Sequence, residues 1–277
     1  MHHYTGALPG GWAWTDLPGG VPDADDTSGA VLALSNLDVH HPRVRRAAMD
    51  GLRWLGSLQN RDGGTPTFCR GWGRLPFDKS CADITAHCVL AHVHWSMLAE
   101  PGAEERALGH TAFRADSFLT DVQREDGSWT PLWFGNQHLN DEENPLYGTA
   151  RVMHLVDQGH KRWENGRLWL TRNQNEDGGW GGGRGTPSSI EETALAVEAL
   201  ARAKPQAARE AVARGVAWLV EHTRQGTHFD PAPIGFYFAK LWYFERLYPI
   251  IFTVAALERV ATLLDGEGQQ DEQQAIE

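Results

Sequence analysis

At 277 residues, with 41% hydrophobic and 22% charged side chains, the chain has the composition of a soluble globular protein able to bury a substantial core. Its net charge of −11 would repel a polyanion, which argues against a nucleic-acid partner. Three cysteines (Cys69, Cys81 and Cys88) make no disulfide framework, so a reducing cytoplasm is the expected compartment.

The chain opens on MHHYTGALPGG, which lacks the charged and then apolar segments of a secretory signal. From there a short pattern recurs, a Thr opening an apolar helix. It reads TSGAVLAL from Thr27, TAHCVLAH from Thr85, TARVMHLV from Thr149, TALAVEAL from Thr193 and TVAALERV from Thr253. Between these copies lies a second pattern, an amphipathic helix with an aromatic–Leu pair, then Gln and a Gly-rich turn. Its copies are GLRWLGSLQNRDGG (51–64), RADSFLTDVQREDGSW (114–129) and RLWLTRNQNEDGGW (167–180), with a worn one, RGVAWLVEHTRQG, at 214–226.

The second set carries apolar residues at spacings of three and four, as in HPRVRRAAMDGLRWLGSLQ, and ends on Gly, which accepts the φ > 0 conformation past a helix C-terminus. The Thr-led helices are apolar around more of their circumference and belong inside. This alternation, at a period of roughly 45–65 residues, predicts an all-α fold, an α/α toroid with a double ring of inner and outer helices. No run of period-two alternation argues for strands. Five inner and four outer helices fall short of a closed six-hairpin barrel, so either the chain ends complete the ring or a piece is missing. One domain is expected over 1–265, followed by a disordered acidic tail over 266–277. The longest apolar run, YPIIFTVAAL, is too short to span a bilayer, which leaves peripheral membrane contact open.

Residues just before each Thr should gather at one mouth of such a ring. They are Asp23, Asp25 and Asp26 in PDADDT, Asp83 with His87 just after Thr85 in CADITAH, Tyr147, and Glu191 with Glu192. Acids at a helix start are good caps and complement the helix dipole, and that is the reading for Glu191 and Glu192: capping or solvated charge. Three acids in four positions exceed what a cap needs and raise one another's pKa, which points to a purpose for PDADDT. Carboxylates with His87 suit a divalent ion in ligand type, and Cys81, Asp83, His87 and Cys88 suit zinc. Helical neighbours such as His87 and Cys88 diverge by about 100°, however, which is poor chelation.

Asp23-Ala24-Asp25-Asp26 resembles the DxDD motif of class II terpene cyclases. QREDGSW (123–129) and QNEDGGWG (174–181) resemble the QW motifs of squalene–hopene and oxidosqualene cyclases. CADITAH, PLYGTA and SSIEETALAV are similar to further family segments, and the likeness covers roughly residues 10–262. The resemblance implies the acid-bearing helical domain of a squalene–hopene-type cyclase, an isomerase acting on a linear isoprenoid such as squalene, with no cofactor and no metal.

In that chemistry Asp25 protonates a terminal alkene while Asp23 and Asp26 orient it. Cationic His87 favours the departing carboxylate, and CADITAH brings Asp83 into the same acid set. Aromatic faces then stabilise the carbocation, at about 2 kcal/mol each when desolvated. Trp14, Phe68, Trp133, Tyr147 and Phe236 are the leading candidates, with Trp12, Trp72, Tyr237, Tyr243 and Phe244 behind them; Trp129 and Trp180 read as structural.

There are departures from the family pattern. The first QW copy ends DGGTPTF without its Trp, and PIGFYFAKLWYFERLYPIIF matches loosely. Family members are also longer and place the cavity against a second helical barrel, so a second barrel domain or chain is an expected partner. Two alternatives remain: a non-catalytic or partner-dependent helical module, and a zinc-dependent prenyltransferase subunit, whose Asp-x-Cys pair does not occur in this chain.

Overall fold

A computed structural model describes residues 7–17, 19–68, 76–98, 102–154, 161–202, 208–236 and 240–274, with backbone alone at 76, 236 and 266–274. The chain divides into two compact units, 1–123 and 124–277.

The first unit holds α1 (Ala24–Leu34), α2 (Pro42–Leu58), a 3-10 turn (Pro76–Asp78), α3 (Ala82–Ser96) and α4 (Ala103–Asp121). Helix α3 packs against both α1 and α4. The second unit holds α5 (Pro145–Met153), α6 (Lys161–Arg172), α7 (Ile190–Ala201), α8 (Arg209–His222), β1 (Pro233–Phe236), β2 (Leu241–Phe244) and α9 (Tyr248–Gln274). Here α7 packs against α5, α8 and α9.

The Thr-led helices α1, α3, α5, α7 and α9 alternate with α2, α4, α6 and α8, as the sequence pattern requires. Helix α7 shows why the inner set is apolar all round: of its residues Ile190–Ala201, all but Glu198 are buried. Helix α2 is one-sided, burying Ala48, Met49, Leu52, Trp54, Leu55 and Leu58 at the spacing of one helix face.

The recurring Thr has a specific task. Thr27, Thr85, Thr149 and Thr193 are fully buried, and each hydroxyl accepts a backbone N–H from the segment arriving at its helix. The donors are Trp12 N (2.9 Å), Thr65 N (2.8 Å), Trp129 N (3.0 Å) and Trp180 N (2.9 Å). The Gln of the second pattern ties its turn to the next outer helix. Gln59 Nε2 donates to Gly63 O and Thr111 O, and Gln174 Nε2 to Gly178 O and Ala211 O. Between them the turn needs φ > 0 at Gly63, Gly127 and Gly178, at +92°, +96° and +93°. Trp129 and Trp180 are wholly buried, in keeping with a structural role.

One feature departs from the sequence reading. An antiparallel hairpin joins β1 to β2 with Pro233 opposite Phe244 and Phe236 opposite Leu241, where no strand was expected. Gly235 makes it fit: a Cβ there would stand 1.9 Å from Leu241 O, and its carbonyl accepts Gly135 N at 3.0 Å. Helix α9 runs on to Gln274.

Candidate active site

Asp23 is the N-cap of α1, with φ −132° and ψ 166°, and its Oδ1 accepts Asp26 N at 2.7 Å. Backbone on both sides pins it. Asp23 N donates to Trp12 O (3.0 Å) and Ala24 N to Thr67 O (2.7 Å), while Phe68 forms a β-bridge with Asp23. Only 7% of Asp23 is exposed. Burial pushes its carboxyl up to about 9, helped by a side-chain hydrogen bond with Asp26 and by the charges of Asp26 and Asp25.

With Asp23 as the cap, Asp25 stands in the first turn of α1 and turns toward α3, where His87 Nδ1 lies 2.6 Å from its Oδ1. The side chains are 44% and 18% exposed, so the pair sits at an opening rather than in the core.

The seam between α1 and α3 fixes this meeting. One turn further on, Ser28 Oγ and Cys88 Sγ are 3.1 Å apart, and beyond them Trp95 Nε1 donates to Val31 O at 3.0 Å. His87 also rests over a residue without a side chain: a Cβ on Gly29 would be 3.7 Å from its Cε1. Asp83 is buried one turn before His87 on the same face of α3 and accepts Cys81 Sγ–H at 2.8 Å. Burial drives the Cys88 thiol up to about 12, which makes it inert. The sulfurs of Cys81 and Cys88 thus have separate partners. Among the described residues, no group of three or more His, Cys, Asp or Glu is arranged to hold a metal.

The aromatic candidates separate. Phe68 is half-buried beside Asp23 and meets Phe77 edge-to-face, with centroids 5.2 Å apart at 87°. Phe77 is a site neighbour that the sequence did not single out. Trp12 is partly buried and packs against the core of Val31, Met49 and Leu52. Trp14 and Phe244 are 74% and 63% exposed, so this chain by itself encloses neither of them.

In the second unit Trp133 and Tyr147 are buried, Tyr147 with its ring 4.9 Å from that of Phe134. Tyr243 is half-buried on β2, where burial raises its phenol. Phe236 is placed on β1 by its backbone alone, while Trp72 and Tyr237 lie outside the described residues.

Glu191 and Glu192 are not solvated caps. Ser189 caps α7, its Oγ accepting Glu192 N at 3.1 Å, and both glutamates are buried, at 8% and 5% exposure. The signal was present in Ser189-Ile-Glu-Glu192, where the serine already supplies the cap.

The squalene–hopene cyclase C-terminal domain family matches residues 3–262. A terpene cyclase–glycosyl transferase fusion protein from Humicola fuscoatra is 29% identical over 95% of this chain and 22% of its own length. A squalene–hopene cyclase from Bradyrhizobium diazoefficiens is 30% identical over 76% of this chain and 34% of its own. Among solved structures, ent-copalyl diphosphate synthase from Streptomyces platensis aligns with a TM-score of 0.65 and 25% identity, covering 93% of this chain and 44% of that one. The chain thus spans about a third or less of these two curated relatives, and its fold class is the α/α toroid.

Proposed function

The chain belongs to the squalene–hopene cyclase C-terminal domain family, and from that membership we propose that it is the proton-delivering domain of a class II terpene cyclase. Asp25 is the acid. The observation that carries the reading is the 2.6 Å contact between His87 Nδ1 and Asp25 Oδ1 beside the buried Asp23.

An alkene is a very weak base, so its proton donor must be strong and the donor's conjugate base must be stabilised as it forms. In the proposed step the O–H bond of Asp25 breaks and a C–H bond forms at the terminal alkene. The electron pair stays on the carboxylate beside His87, and the positive charge appears on the isoprenoid. Asp23 caps α1, and its burial disfavours a second negative charge beside the carboxylate that forms at Asp25; Asp26 completes the acid set. Phe68, whose backbone bridges Asp23, offers a π-face to the new cation.

The substrate is a linear isoprenoid, squalene or a shorter polyprenyl, and a second helical-barrel domain completes the enclosure. No helix among the described residues is long and apolar enough to cross a membrane. We place the protein in the cytoplasm with peripheral membrane contact.

The test is turnover of squalene and of shorter polyprenyls by the chain, alone and with a second helical-barrel domain, before and after Asp25→Asn. Cyclised product that disappears in the variant supports the reading. Undiminished turnover by Asp25→Asn removes Asp25 as the acid. Absence of product in every arm favours a non-catalytic, partner-binding module, a reading that the partial span of the relatives also allows.

A further inference from the structure

Glu192 has contacts that capping does not explain. As the third residue of α7 after the Ser189 cap, it is placed to accept the N–H of the cap residue itself, the usual return contact. That N–H is already engaged, because Ser189 N donates to Trp180 O at 3.0 Å. The Glu192 carboxyl instead turns away from its own helix. Its Oε1 accepts Asn136 Nδ2 at 3.1 Å and Asn144 Nδ2 at 3.2 Å. Both amides are oriented from their far side, since Asn136 Oδ1 accepts His138 N at 2.9 Å and Asn144 Oδ1 accepts Tyr147 N at 3.0 Å. Each Nδ2 must therefore face Glu192. All three side chains are buried.

The two asparagines stand on the two legs of one closed loop. Gly135 forms a β-bridge with Glu143, and Asn136 N donates to Glu142 O at 2.9 Å. Trp133 and Phe134 come just before the first leg; α5 begins just after the second and carries Tyr147. Trp133 and Tyr147 are buried, and the rings of Phe134 and Tyr147 meet with centroids 4.9 Å apart at 60°. Gly182 makes room for the arrangement, because a Cβ there would stand 2.5 Å from Asn136 Cβ.

A buried carboxyl lowers stability, and Oε2 of Glu192 is buried with no partner among the described residues. A leucine would fill much the same space without that penalty. What a leucine lacks is an acceptor for amides from both legs at once. We propose that Glu192 is a positioning residue: its carboxyl clips the two legs of the 135–143 loop to α7 and so fixes where Trp133 and Tyr147 stand. The clip does not depend on charge. Burial raises the Glu192 carboxyl and the two amides lower it, but Oε1 accepts in either protonation state. Trp133 and Tyr147 are candidate π-faces for a carbocation. Under the cyclase reading, on which this second step rests, the clip selects which cation along the isoprenoid is stabilised and hence the ratio of products.

The experiment compares the full chain, isotopically labelled for NMR, as wild type, Glu192→Leu and Glu192→Gln. Hydrogen exchange is read at the side-chain amides of Asn136 and Asn144, together with the Trp133 indole and Tyr147 backbone N–H signals. Glu192→Leu keeps the bulk and loses the acceptor. It should speed exchange at both amides by about ten- to a hundredfold and move the Trp133 and Tyr147 signals. Glu192→Gln restores an acceptor and should return all four toward wild type. Exchange and signals in Glu192→Leu that match wild type would overturn the clip. If Glu192→Leu does not fold, Asn144→Asp, which keeps the α5 cap and removes its donor, must move the Tyr147 signal, and an unmoved signal overturns the clip as well. With squalene, the product ratio should change in Glu192→Leu and recover in Glu192→Gln; a constant ratio beside moved signals removes the selecting role. A wild-type chain that forms no product with or without a second barrel counts against the cyclase reading, while the exchange data still decide the clip.

Discussion

The starts of α1 and α7 are built on one plan. Asp23-Ala-Asp-Asp-Thr27 and Ser189-Ile-Glu-Glu-Thr193 both place a cap four residues before the Thr, two acids just ahead of it, and a Thr hydroxyl that holds an incoming tryptophan N–H. What differs is the company. In α1 the cap is itself a buried acid and the next acid meets His87 at an opening. In α7 the cap is a neutral serine and both acids are buried among amide donors. Local spacing decides where a carboxyl is put; the residue facing it from the next element decides what it can do.

The largest test of that contrast is removal of the proposed α1 proton donor, since Asp25→Asn should lower product formation by about 10²–10⁴-fold. His87→Ala should cost less, about ten- to a hundredfold, as the loss of one charge-assisted hydrogen bond. Product assays on both variants rank the two roles, and equal losses would merge them.

Next comes the scaffold that the two helix starts share. Trp180→Ala should destabilise the second unit by about 3–5 kcal/mol in denaturant titration, because the indole is wholly buried and its Nε1–H donates to Leu170 O.

The buried cap then separates α1 from α7 by its own pH signature. Its carboxyl is raised from 3.8 to about 9, so its stabilising contribution is complete below the lower value and fades as pH climbs through the upper one. Unfolding midpoints measured across that range should decline in the wild type and decline less in Asp23→Asn, which keeps a capping oxygen.

The smaller effects belong to the Thr stitch. Thr85→Val strands the buried Thr65 N–H and should cost about 1–3 kcal/mol. Thr253→Val should change stability by under about 0.5 kcal/mol, because that hydroxyl is buried without a partner among the described residues. A large loss at Thr253 would mean that the fifth Thr is stitched like the other four.

Much of the fold is legible in the sequence because it is written repeatedly. Thr before an apolar helix and Gln before a Gly turn recur at positions where one hydroxyl and one amide do the same work each time. The hairpin is not written that way. It is held by Gly235 beneath Leu241 and by the bond from Gly135, single contacts that leave no alternation in GFYFAKLWYF. Of the candidate site, the three acids stand out by their crowding. The pairing of Asp25 with His87, 62 residues apart, came through family likeness and not through periodicity. The sequence suggests capping or solvation for Glu192 because its partners Asn136 and Asn144 lie 56 and 48 residues upstream in unremarkable surroundings.

The Thr stitch joins backbone that is 15, 20, 20 and 13 residues apart at its four occurrences. Its two ends are constant while the stretch looped out between them is free to grow, shrink or change composition. Those stretches carry Asp23 and Asp25, Phe68, and Trp133 with Tyr147. Evolution, or a protein engineer, can exchange such a cassette and alter which molecules are accepted without renegotiating the helical frame that holds it.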